Sequence, residues 1–180
     1  PNNGSALGKF QAAMQIRRSS CLNCVNSVVT DWPIGLLLDG EKGNTVAQAK
    51  AQKLRLQNIY FANVEKIGSD ANKVYDDVLY DAANKKVIDD KQQSYSHTFF
   101  VEQPGNAVVE KSALSFIDGK GVGVSFMPQQ GSRVFGAQSF AGLDSWFKTV
   151  TYIGAFDVND TWLDGWTNFD PQSADYSQAK

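Results

Sequence analysis

The chain has 180 residues, 42% of them hydrophobic, enough for one domain with a real core. A formal charge of −2 and a pI near 5.3 leave no basic footprint, which argues against nucleic acid and anionic membrane surfaces as partners. The apolar run Ile34 to Leu38 falls far short of the ~20 residues that span a bilayer, so no transmembrane segment is expected.

Residues 1–9 form a turn-rich lead-in without a pattern of their own. Pro1 to Ala13 holds neither an initiating Met nor a charged-then-apolar leader, which points to processing or truncation upstream. Residues 13–40 read as one nearly complete rung of a parallel β-solenoid. Met14 and Ile16 alternate with polar neighbours, Leu22 and Cys24 do the same, Val28 and Val29 follow, and Ile34 to Leu38 closes the rung before Asp39-Gly40. Such a rung cannot bury its apolar face without neighbours stacked on it. The polar stretch after Gly40 is a loop whose later part suits a short helical turn. A second β-run, Lys53 to Val64, has Leu54, Leu56, Ile59 and Phe61 as inward candidates and Gln57-Asn58 as a corner.

Residues 69–90 change period: Val74, Val78 and Leu79, with Ala82, recur at helical spacing, and Ser69 or Asp70 can cap them. An amphipathic helical insertion across the solenoid flank is expected there. Residues 92–127 are expected to be extended and loop segments, with Pro104-Gly105 as a turn and a glycine-rich stretch near their end. Residues 128–180 hold Trp146, Phe147, Tyr152, Phe156, Trp162, Trp166, Phe169 and Tyr176. This density suits either a hydrophobic plug over an open solenoid end or an aromatic ligand platform.

The phrase AMQIRRSSCLNCVNSVVTDWPIGLLLDG, residues 13–40, resembles a rung near the end of a mostly uncharacterised family of secreted right-handed parallel β-helix proteins of Bacteroidota-type bacteria. Residues 126–172, with Tyr152-Ile153-Gly154-Ala155-Phe156, Trp162 and Gly165-Trp166-Thr167-Asn168-Phe169, resemble that family's closing segment. Together the two blocks cover about two fifths of the chain. The resemblance implies an all-β fold, the last rungs of a right-handed parallel β-helix over residues 10–66 with a C-terminal cap and one decorating helix. It also implies a secreted or cell-surface location, on the extracellular side of the outer membrane. Family members are longer, so the chain resembles only their C-terminal part. The expected partner is the upstream part of the same protein, or another chain, stacked on the first rung.

The candidate chemistry competes with ordinary readings. Cys21 and Cys24 lack the further ligands a zinc site needs and the helix start a redox motif needs. Extended backbone would hold them about 10 Å apart, beyond the ~7 Å limit for a disulfide. Two reduced structural thiols are expected, with a disulfide across a local turn as the alternative. His97, the sole histidine, lies among aromatics and reads as a half-buried strand residue, with nothing resembling a nucleophile elbow around it. Arg17, with Arg18 and Asp39, offers part of the set a β-helix lyase uses on uronates; a structural ion pair is the bland alternative. Asp157 and Asp160 begin like a calcium loop, yet Trp162 stands where an EF-hand needs glycine and Asn168 where it needs an acid. An irregular calcium site competes there with simple side-chain turns, and no other cofactor is expected. Trp162 and Trp166 suit stacking on sugar rings, with cap packing as the ordinary alternative.

Two functions follow as expectations. One is a non-enzymatic extracellular or cell-surface structural or binding protein, an adhesin or glycan-binding scaffold, with no catalytic residue in the chain. The other is the C-terminal part of a carbohydrate-active β-helix enzyme, a polysaccharide lyase or hydrolase with its catalytic rungs upstream.

Overall fold

A computed structural model describes residues 10–115, 127–136, 138–168, 170–175 and 177. Strands β1 (Ala12–Arg17), β3 (Ile34–Asp39) and β5 (Lys66–Ser69) form one parallel sheet in the order β1-β3-β5. Strands β2 (Asn23–Thr30), β4 (Arg55–Ala62) and β8 (Ala107–Val109) form a second parallel sheet, β2-β4-β8. A third, antiparallel pair joins β6 (Leu79–Asp81) to β7 (Lys86–Asp89). Two α-helices, α1 (Thr45–Lys50) and α2 (Tyr95–Glu102), complete the elements that place the core. Among the described residues no helix is long and apolar enough to cross a membrane.

The two central strands explain the hydrophobic pattern. β3 lies between β1 and β5, and every one of its residues is buried. β4 lies between β2 and β8 and is buried from Leu56 to Ala62. A parallel strand covered on both faces reads as a continuous apolar run rather than an alternating one. The main core gathers Ile16, Leu36, Leu38, Leu54, Leu56, Ile59, Phe61, Phe99 and Phe100. A second cluster, Tyr60, Ala62, Leu114, Val134 and Ile153, also draws on β4 and brings in residues of the C-terminal segment.

The expected all-β, right-handed parallel β-helix is corrected here. The described residues form two three-stranded parallel sheets, an antiparallel hairpin and two helices, with no closed coil of stacked rungs. The offset between paired strands is uneven: Ala12 faces Ile34, Ile34 faces Lys66, and Tyr60 faces Ala107. A regular rung needs a constant offset, and residues 13–40 do not supply a unit that the rest of the chain repeats.

The helical insertion expected over 69–90 is also corrected. β5 ends at Ser69, and the segment beyond the turn folds into the β6–β7 hairpin. Asp81 accepts hydrogen bonds from Asn84 N at 3.0 Å and Asn84 Nδ2 at 2.7 Å, and Lys85 adopts φ 53°. A side chain that closes its own turn reverses the chain where helical spacing would carry it forward. The extended expectation for 92–101 gives way to α2. Ser94 caps α2 by accepting from His97 N at 3.1 Å, and the buried Asp70 accepts from Tyr95 N at 2.9 Å and Ser96 N at 2.8 Å. These bonds satisfy amide groups that a helix start leaves open.

Gln57-Asn58 is not a corner. Both residues are buried within β4, and Asn58 takes φ 56° while its opposite number on β2, Asn26, takes φ 54°. Neighbouring strands therefore bend together. The same repetition joins Asp31 (φ 63°) and Asn63 (φ 52°), whose side chains bond at 2.7 Å.

Candidate functional site

The C-terminal segment is tied down through β2 and β4. Gln57 Nε2 and Asn58 Nδ2 both donate to Ser139 O, at 2.9 and 2.7 Å, and Arg55 Nη1 donates to Gly142 O. Further along, Ile153 N donates to Val134 O at 2.8 Å and Gly154 N to Asn26 O at 3.1 Å. Gly154 has φ 106°, and a Cβ there would stand 3.3 Å from Val28 Cγ2, so a side chain would be strained at this seam.

That seam opens a groove of about 420 Å³, lined by Asn26, Ser27, Val28 and Thr30 of β2 on one side and by Pro128 and residues 153–156 on the other. Asn26 Oδ1 is buried without a hydrogen-bond partner. Phe156, at the end of the groove, stacks on Trp162 with centroids 5.1 Å apart and planes 10° apart. Trp162 in turn lies 6.0 Å from Trp166 at 31°. Both indole N–H groups are used on backbone: Trp162 Nε1 donates to Ala155 O at 3.2 Å and Trp166 Nε1 to Trp162 O. Their polar edges are anchored while the rings stay in water, Trp162 49% and Trp166 69% exposed. Trp146 is 82% exposed against Phe147.

The plug reading therefore does not describe these indoles. The second core cluster is filled by smaller residues and Tyr60, and the tryptophans stand outside it. Phe169 and Tyr176 lie outside the described residues.

Arg17 stands elsewhere. It faces Asp39 across β1 and β3, with Nε 3.2 Å from Asp39 Oδ2 but outside hydrogen-bond geometry. Asp39, 1% exposed, also accepts from Gln15 Nε2 at 3.2 Å and Glu41 N at 3.0 Å. A buried carboxylate needs such partners, and Arg17 serves it as an ion pair. Asp157 and Asp160 sit beside Phe156 in sequence. Asp157 N donates to Asp160 Oδ2, and Asp157 Oδ1 accepts from Val158 N at 2.7 Å, so both carboxylates close a turn. Among the described residues no three His, Cys, Asp or Glu side chains converge as a metal site.

Sequence reading missed one cluster. His97 lies on α2 rather than on a strand, with Nδ1 2.6 Å from Asp77 Oδ2, while Ser94 Oγ donates to Asp77 Oδ1 at 2.7 Å. Ser, His and Asp thus meet, in the wrong order for catalysis. A nucleophilic serine gives its proton to histidine. Here the carboxylate takes it, and the buried Ser94 Oγ is already the helix cap. The signal that could have found it is Ser94 three residues before His97, a cap spacing.

A second cleft, of about 400 Å³, lies between α1 and the β6–β7 hairpin and reaches Asp70, Lys50 and Tyr95. Lys50 Nζ stands 5.2 Å from the centre of the Tyr95 ring. Burial raises the Asp70 carboxyl above its ordinary value despite the bonds from Ser96 and Tyr95, and burial likewise raises the Tyr95 phenol. Asp70 is committed to the start of α2 through its bonds with Tyr95 N, Ser96 N and Ser96 Oγ.

Both cysteines are free thiols, Cys21 exposed and Cys24 half-buried with Sγ 3.6 Å from Ser27 Oγ. Thiol titration of the denatured, unreduced chain is expected to count two; a count of zero would mean a disulfide instead. Comparison with protein-family models, with curated proteins and with solved structures finds no match to this chain.

Proposed function

We propose that the protein is a non-enzymatic binding protein of the extracellular space or cell surface that holds glycan chains on the Phe156–Trp162–Trp166 steps beside the groove. One observation carries this reading: the indole N–H groups are tied to backbone carbonyls, so the rings are held in place while Trp162 and Trp166 stay 49% and 69% exposed. Rigid aromatic area costs little entropy to dock against, and a sugar's C–H face can cover it. A groove with hydroxyl and amide side chains adjoins the steps, which suits a polyhydroxylated chain. None of the described residues lining it is ionisable, so they bring no general acid or base to the groove.

Affinity electrophoresis in gels containing soluble polysaccharides tests the reading. Trp166→Ala is expected to weaken retardation about tenfold, the size of losing one stacked contact of ~1.4 kcal/mol, without lowering the melting temperature. Equal retardation of the variant and the parent protein would remove the aromatic steps from the binding site.

A further inference from the structure

The geometry points to an uncharged glycan as the occupant of the groove, its hydroxyls read by Asn26, Ser27 and Thr30; this rests on the glycan-binding reading above and narrows it. The groove's polar side chains are an amide and two hydroxyls, and its remaining walls are apolar or backbone. A uronate or sulfate drawn into such a groove would lose water without gaining a cation, a costly exchange.

The ionisable neighbours add to the bias. Asp157 follows Phe156 directly, and Asp160 is joined to it through the turn. Burial first, then the Asp160 and Asp157 carboxylates, hold the phenol of Tyr152, the residue before Ile153 of the groove, above its ordinary value. At the other end, Asp31 follows Thr30 and is matched by Lys111 at 2.8 Å, which leaves that cation engaged. Of the described acids beside the groove, Asp31 is paired with a cation, whereas Asp157 and Asp160 close their own turn. Carboxylate charge on that turn disfavours a polyanionic chain and not a neutral one.

Asn26 is the residue of the groove with something to gain. Its backbone is left-handed at φ 54°, and its Oδ1 is buried without a partner. An unpaired buried acceptor costs about 1–3 kcal/mol, and a turn of the amide toward the groove offers it a sugar O–H donor. Of the ligand classes that bring many O–H donors and no charge, neutral polysaccharides also fit the aromatic steps.

Affinity gels separate the possibilities with the full chain. The probes are neutral polymers (β-glucan, xyloglucan, xylan, mannan) and polyuronates (polygalacturonate, alginate). The expected result is retardation by at least one neutral polymer, unchanged up to about 0.5 M salt because no ion pair is involved. Asn26→Gly, which keeps the left-handed backbone, is expected to weaken that retardation about tenfold with an unaltered circular-dichroism spectrum. Retardation by polyuronates alone overturns the uncharged class and leaves glycan binding standing. Retardation by neither set overturns glycan binding itself. Neutral binding that Asn26→Gly leaves intact overturns the assignment to this groove.

Discussion

Gly68→Ala is expected to destabilise the protein by about 3 kcal/mol or more, at the upper end of what overpacking costs. A Cβ at Gly68 would lie 2.3 Å from the backbone nitrogen of His97 and 2.8 Å from both Ser94 Oγ and the Ser96 carbonyl carbon. None of these atoms is free to give way. His97 N is bonded to Ser94 Oγ, Ser94 Oγ to Asp77, and the amide of Ser96 to Asp70. The helix must move as a body, and it carries Phe99 and Phe100 out of the main core as it goes. Urea denaturation checks this: the midpoint should fall sharply, and the melting of parent and variant should both stay cooperative. A midpoint within error of the parent's would show that α2 does not rest on β5 as described.

Phe61→Ala is the second large expected effect, about 3–5 kcal/mol. The Phe61 ring is fully buried and stacks on Phe100 with centroids 4.0 Å apart and planes 8° apart. Its other neighbour is Gly35 of β3, where a Cβ would sit 2.2 Å from the ring. The ring is thus held between the two parallel sheets' strands and α2, and its removal leaves a cavity that rigid backbone on one side cannot close. Phe100→Ala should cost a similar amount, and the double variant less than the sum, because the two rings share one contact. Additive losses in a double-mutant cycle would contradict the stacked arrangement.

These effects bear on how far the sequence could be read. The strands with periodic or continuous apolar character were legible: Met14 and Ile16, Ile34 to Leu38, and Leu54 to Phe61 all fall in or against the main core. Hydrophobic runs report burial, and burial is what strands β3 and β4 have in full. What the runs cannot report is how turns of chain are closed between them. The switch from expected helix to hairpin in β6–β7 rests on Asp81 bonding Asn84, and the switch from strand to α2 rests on Ser94, Asp70 and Asp77 serving its first amides. Those bonds join residues with no apolar signature, and both acids that serve α2, Asp70 and Asp77, come from outside the helix. The misjudged solenoid has the same root: similar strands imply a repeat, but their offsets depend on the loops.

The candidate site was legible in part. Aromatic density singled out Trp162 and Trp166, and both indoles stand exposed. Arg17 and Asp39 were paired on adjacent strands, as the ordinary reading had it. The groove itself was not visible, because it exists only where Gly154 meets Asn26, residues far apart in the chain.

Pairing in both large sheets is parallel and between distant segments, and among the described residues only the small β6–β7 hairpin pairs strands that follow one another with a short turn. Loop closure must then precede most of the reward that the sheets give, which slows folding relative to a helical or meander chain of equal size. β8 is the last strand in chain order among the described residues, and the hairpin and α2 lie in sequence between it and its partner β4. During synthesis the apolar strands β1 to β4 would therefore stand partly uncovered while the closing segment is still being added, the interval in which such a chain most needs a chaperone.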